Sequence, residues 1–136
     1  CLMKLISQII IGIAFLIAIV ACSNVESKLQ DYVDEENVNL PIEYRGELVL
    51  EKCEFDKNNV VYKYKLPEVA ITPEEVEDLK ASFLNEEALA DTRFKQLLTL
   101  LAEGGYGLVY EYSDYKNNSI SITFSPQEIS QVIYNK

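Results

Sequence analysis

Ile120-Ser121-Ile122-Thr123-Phe124 puts an apolar side chain on every second position, and a stretch written this way is committed to a sheet. Leu108, Tyr110 and Tyr112 alternate in the same fashion with Val109 and Glu111. Earlier in the chain, Val60, Tyr62, Tyr64 and Leu66 share one parity, while Lys63 and Lys65 take the other. Successive side chains of a strand point to opposite faces, so this period of two describes a sheet packed on one face and wet on the other. The stretch Glu47 to Asp56 reads as a further strand of mixed parity. Leu48 and Leu50 favour one face, and Val49, Cys53 and Phe55 the other, which predicts a bulge. Asp56-Lys57-Asn58-Asn59 and Lys116-Asn117-Asn118 are turn sequences, because Asn tolerates left-handed backbone and caps its own turn.

Helical spacing separates these strands. Glu26 to Val38 carries Leu29, Tyr32 and Val33 on one stripe, followed by the stop Leu40-Pro41. Thr72-Pro73-Glu74-Glu75 has the form of a capping box with Pro at the first helical position. Val76, Leu79, Phe83 and Leu84 then mark an amphipathic helix. Asp91-Thr92 restarts it, with Phe94, Leu97, Leu98 and Leu101 on the buried stripe and Gly104-Gly105 at its end. Ser125-Pro126-Gln127-Glu128 opens a last helix carrying Ile129, Val132 and Ile133. The expected fold class is α+β: a four-stranded antiparallel sheet of two hairpins with helices on one face, preceded by an N-terminal hydrophobic helix. Lys63, Lys65, Glu111, Ser121 and Thr123 would sit on the outer face of that sheet.

The apolar residues at the N-terminus obey a different logic. Ile9 to Val20 contains no polar side chain, and Lys4 is the only charge before Glu26. One cation, a short apolar run and a small-residue boundary form the layout of a secretory leader, too short to span a bilayer comfortably. The boundary Ile19-Val20-Ala21-Cys22 resembles the bacterial lipobox. That resemblance implies a diacylglycerol on the Cys22 thiol and cleavage just before it. Residues 1–21 would be the signal peptide, 22–27 a tether and 28–136 a single domain. The membrane, reached through the lipid at Cys22, is then the first expected partner, and the location is the bacterial cell envelope, on the periplasmic side of the inner or outer membrane. Two or more acyl chains make such attachment lasting, at about 0.8 kcal/mol per buried CH₂. Cys1 and Leu2 precede the first Met, Met3, and no chemistry is placed on Cys1.

A second resemblance covers about two-thirds of the expected mature chain. Leu40-Pro41, the strand Val61-Tyr62-Lys63-Tyr64, the capped helix and Gly107-Leu108-Val109-Tyr110-Glu111-Tyr112 look like a group of small uncharacterised bacterial exported proteins. That group has a Leu-Pro step into the sheet, a Tyr-x-Tyr strand and a Gly-x-x-Leu-Val-Tyr-x-Tyr strand. The resemblance implies a fold and an exported location, and it supplies no catalytic residue. Members of that group often carry a Cys in the helix and another near the C-terminus. This chain has neither, so its last helix must be held by packing alone.

Composition narrows the chemistry. The chain has no His and no Trp, which removes imidazole as base, nucleophile or metal ligand. Its formal charge of −10 disfavours nucleic acid as a partner. Cys53 is expected to be a buried, inert thiol. Asp34-Glu35-Glu36 lacks the alternating oxygen ligands and central Gly of a calcium loop and reads as a solvated helix end. Gly104-Gly105-Tyr106-Gly107 lacks the Lys and Ser/Thr of a phosphate loop. No metal site, no cofactor and no catalytic site is expected; Glu103 and Glu111 are the only carboxylates placed to be worth testing as a hydrolytic pair. The chain uses nine Tyr against five Phe. Tyr62, Tyr64, Tyr110 and Tyr112 would either fill the core or line a groove for a glycan or peptide. The expected function is that of a lipid-anchored, non-catalytic binding or structural module with an envelope protein as partner. The alternatives are an inhibitor of a periplasmic or host hydrolase, or a carboxylate-based hydrolase.

Overall fold

The computed structural model describes residues 24–44, 48–67 and 74–134. The apolar run at 9–20, the lipobox, Cys22 and the cap Thr72-Pro73 lie outside the described residues. A first helix, α1, covers residues 24–38. The strands are β1 (Ile42–Tyr44), β2 (Leu48–Phe55), β3 (Asn59–Leu66), β4 (Gly107–Asp114) and β5 (Ser119–Phe124). Between β3 and β4 come α2 (Glu75–Phe83), α3 (Glu86–Leu89) and α4 (Thr92–Gly104), and α5 (Pro126–Tyr134) follows β5. Residues 24–27, expected in a tether, are already helical. Val25 is packed against the core.

The fold is α+β, but the expected four-stranded antiparallel sheet is corrected in two respects. Among the described residues the sheet has five strands, in the spatial order β1-β2-β3-β4-β5. The two hairpins also meet in parallel: β3 pairs with β4 over eight residues from Asn59↔Gly107 to Leu66↔Asp114. β1 is three residues long, too short to show a period. The parallel join follows from the crossover, because α2, α3 and α4 return the chain to the end of the sheet where β3 began. The bulge expected in β2 is present, between Leu50 and Lys52. It lets Leu50 and Cys53, of opposite parity, both face the helices, where both are buried.

All the described helices contribute to one apolar layer on one face of the sheet. Leu29, Tyr32 and Val33 of α1, Leu97, Leu98 and Leu101 of α4, and Ile129 of α5 are buried against Leu50, Cys53, Val60, Tyr62, Leu108, Tyr110, Ile122 and Phe124. Val76 and Phe83 of α2 join them, whereas Leu79, expected on the same stripe, is 43% exposed. The opposite face carries Lys52, Glu54 and Lys63 as an ion-paired group, with Nζ–Oε distances of 2.8 and 3.3 Å.

Local chemistry sets the ends of the elements. Asp91 caps α4 by accepting the N–H groups of Arg93 (3.0 Å) and Phe94 (3.2 Å). Gly105 closes it at φ +73°, a conformation that penalises any side chain. Ser125 and Glu128 form a reciprocal capping box, each side chain accepting the other's backbone N–H, at 3.1 and 3.2 Å. α5 is therefore held by more than packing. Both hairpin turns are organised by an Asp: Asp56 Oδ1 accepts from Asn58 and Asn59, and Asp114 Oδ1 from Lys116 and Asn118. The left-handed residue is Asn117 in the second turn but Lys57 in the first, where an Asn was expected to take it. At Gly107 a Cβ would run into the Asn59 side-chain oxygen and sit 3.0 Å from the Phe124 carbonyl, so β4 starts in close contact with both neighbouring strands.

One side chain joins helix to sheet edge. Asn37, near the end of α1, accepts the Cys53 N–H (3.0 Å) and donates to the Cys53 carbonyl (2.7 Å). It takes the place of a neighbouring strand where β1 has run out. Asn37→Ala leaves both backbone groups partly buried and without this partner. The expected loss is about 1–3 kcal/mol, read as a lower urea midpoint at unchanged slope.

Candidate functional site

The parallel register β3/β4 sets Tyr62 beside Tyr110 and Tyr64 beside Tyr112. The structure thereby brings the four sequence-selected tyrosines together on the helix-covered face. Tyr62 and Tyr110 stack at 5.5 Å with their planes 16° apart, and Tyr64 and Tyr112 at 5.1 Å and 15°. Phe83 of α2 lies on Tyr110 at 4.7 Å, a contact no strand periodicity could announce. The result is a column of rings graded in burial. Tyr62 and Tyr110 are 7% and 8% exposed. Tyr64 and Tyr112, further along both strands, are half-buried. Tyr44, on β1 at the same end of the sheet, is 46% exposed.

Burial governs the acid–base behaviour of the column. It raises the pKa of Tyr62, Tyr64 and Tyr110 above the ordinary phenol value, and pushes Tyr112 up to about 12. The Tyr62 hydroxyl donates to that of Tyr32 on α1 over a long 3.5 Å. Beside it lies Cys53, 1% exposed, whose thiol burial raises to about 12. A thiol so placed is no nucleophile at neutral pH.

The other selected groups are not brought together. Glu103 is exposed near the end of α4, and Glu111 lies on the outer sheet face beside Lys63 and Ser121. The acidic run on α1 is engaged by a cation that sequence reading missed. Arg93 Nε reaches Glu36 at 2.9 Å and its Nη1 reaches Glu35 at 3.4 Å, while the guanidinium covers the Tyr32 ring at 4.4 Å. Asp34 accepts from Gln30 at 3.0 Å. Among the described residues no cluster of three or more Cys, Asp and Glu is arranged to hold a metal ion. The described surface also has an open hollow of about 640 Å³ lined by Leu84, Leu89, Lys95, Val132 and Ile133, between the crossover helices and α5.

Two solved structures share this arrangement. One is the pilotin EpsS of the Vibrio vulnificus type 2 secretion system: 16% identity, TM-score 0.58, covering 79% of this chain and 93% of that one. The other is a Pseudomonas aeruginosa protein held to be secreted: 17% identity, TM-score 0.54, covering 78% of this chain and 93% of that one. At this identity the likeness shows the fold. No protein-family model matches the chain, and no curated protein matches it. The α+β domain thus has the fold of a secretion-system pilotin and of a protein assigned to export.

The shifted groups give the domain a definite response to alkali. Cys53 and Tyr112 hold their protons to about 12 in the folded chain, against ordinary values of 9.0 and 10.0. The unfolded chain therefore releases protons first. Stability is full below pH 9 and falls as the pH climbs from 9 through about 12. Urea midpoints across this window should decline, and Tyr112→Phe should lessen the decline above pH 10. At neutral pH, Cys53 should resist a maleimide until denaturant is added, as located by peptide mass spectrometry.

Proposed function

We propose that this chain is a non-catalytic module of the bacterial cell envelope, anchored through a lipid on Cys22, that holds a protein component of an envelope assembly. The observation carrying this reading is the fold shared over 93% of a secretion-system pilotin. The residue chemistry agrees with it. The chain offers no imidazole, its cysteine within the sheet is sealed, and Glu103 and Glu111 lie on different surfaces.

The geometry also supports a place for the partner. The first described turn of α1 lies beside Gly104, at the end of the sheet where β4 begins, and Cys22 is two residues before the first described residue, Asn24. A lipid at Cys22 would hold that end close to the membrane. Tyr64 and Tyr112 lie five residues along β3 and β4 from that end, about 17 Å at ~3.3 Å per residue. Together with Tyr44 they present partly exposed aromatic surface on the side away from the anchor. Tyrosine suits this duty, since its ring supplies contact area and its hydroxyl remains hydrated.

The test is crosslinking and recovery from intact cells of the native chain, Cys22→Ala and Tyr112→Ala. Mass spectrometry of the native product should find an N-terminus at a lipid-bearing Cys22. Cys22→Ala should leave the membrane fraction, and Tyr112→Ala should remain there but lose the crosslinked protein. An unmodified thiol at Cys22 overturns the anchor. Identical crosslinks from all three proteins overturn the assignment of the tyrosine end.

A further inference from the structure

We propose that the free edge of β5 is a self-association surface, at which a second copy of this chain adds its own β5 in antiparallel pairing and joins the two sheets into one. The two edges of the sheet differ. On the β1 side the edge strand is only three residues long. The stretch of β2 beyond it is occupied by Asn37, which satisfies both main-chain groups of Cys53. Short edge strands and edge-covering groups are the usual ways a sheet is protected from addition of another strand.

Among the described residues β5 has none of these protections. Its six residues, Ser119 to Phe124, run in unbroken register with β4 and include no charge, no Pro and no Gly. The phase of its hydrogen bonding is fixed at the turn, where the Asp114 N–H donates to the Asn118 carbonyl at 2.9 Å. In an antiparallel ladder alternate residues face the partner strand, so Ile120, Ile122 and Phe124 bond to β4. The N–H and C=O groups of Ser119, Ser121 and Thr123 then point off the sheet. Among the described residues no backbone or side-chain group bonds to them. Their side chains are exposed on the outer face.

A second copy is the occupant this edge fits. With a two-fold axis at Ser121, Ser121 faces its own equivalent, and Ser119 faces Thr123 in both directions. Each of these three pairs exchanges two main-chain hydrogen bonds. Hydroxyl side chains meet hydroxyl side chains on the outer face, and Ile120 lies opposite Ile122 on the covered face. The net charge of −10 does not oppose this contact locally. The nearest acid in the row through Ser121 is Glu111, one strand inward. Across the joined edge the two Glu111 positions are three strand spacings apart, about 14 Å. That is well beyond the screening length of ~8 Å at physiological salt. The interface is isologous, so it closes at two copies and does not propagate.

The experiment uses the full chain in its host membranes. Ser121→Cys places two thiols across the axis at a Cα separation of about 5.5 Å, within the range a disulfide can bridge. Mild oxidation should give a reducible species of twice the chain mass. Ser27→Cys on α1 should give none under the same conditions. The purified full chain in detergent should sediment as a dimer, and Ser121→Lys, which sets two ammonium groups face to face, should be monomeric with an unchanged far-ultraviolet circular dichroism spectrum and a urea midpoint lowered only by the lost association. The cysteine substitution is nearly isosteric and reads the contact even if the lysine variant does not fold. A native chain that sediments only as a monomer, with no disulfide from Ser121→Cys, overturns the proposal. So does a disulfide from Ser121→Cys that joins only a different protein, which would make the edge an acceptor for a foreign strand.

Discussion

β3 and β4 run in the same direction, and this pairing dictates the remainder of the architecture. Two parallel neighbours cannot be joined by a tight turn, so the chain has to leave the end of β3 and return to the level of its start. α2, α3 and α4 make that journey over the face carrying Tyr62 and Tyr110. The crossover explains why α2, α3 and α4 lie on the same side of the sheet. It also explains the ring column. In a parallel pair equivalent positions lie side by side, so Tyr-x-Tyr in β3 meets Tyr-x-Tyr in β4 ring against ring. Reversing either strand would place these tyrosines against different neighbours.

α1 closes the layer from outside the crossover, and the forces holding it differ in size. Leu29, Tyr32 and Val33 are buried, and full burial of a side chain of this class contributes about 1.5–3 kcal/mol. The Arg93 pairs with Glu35 and Glu36 involve a half-exposed guanidinium, and exposed pairs contribute about 0–1 kcal/mol. Burial therefore attaches the helix. Arg93 and Asn37 act on where it is attached: Arg93 by its seat on the Tyr32 ring, Asn37 by its two hydrogen bonds to Cys53. The register of α1 on the sheet follows from these polar groups, which have one matching position each.

Strand content was legible because alternation is a property of neighbouring residues. β4 and β5 lie where their periods of two place them, and Leu97, Leu98 and Leu101 are buried as their spacing requires. What escaped was long-range. Nothing local to Val60–Leu66 or Leu108–Tyr112 tells parallel from antiparallel pairing, because the faces are the same in both. Ile42-Glu43-Tyr44 is too short to carry a period. Leu79 fits a helical stripe by number, yet α2 sits at the margin of the layer and leaves it outside. Asn37 and Arg93 draw their roles from partners 16 and 57 residues away. The four tyrosines could be named from sequence, but Phe83, which completes their stack, needed the crossover to bring it there.

The gradient along the tyrosine column separates structure from availability. At its inner end Tyr62 and Tyr110 have lost nearly all contact with water, and the Tyr62 hydroxyl is served by Tyr32 rather than by solvent. A phenylalanine would fill that volume almost as well, and the Tyr62 hydroxyl is tolerated there because it is paired with Tyr32. At the outer end Tyr64 and Tyr112 keep part of their surface in water while their rings remain clamped by stacking. A side chain already fixed in this way loses little rotamer freedom when something docks against it, which is a main cost of making an interface. The buried half of the column thus prepares the exposed half, and the parallel register that built the core also produces a rigid aromatic surface at the end of the sheet remote from the start of α1.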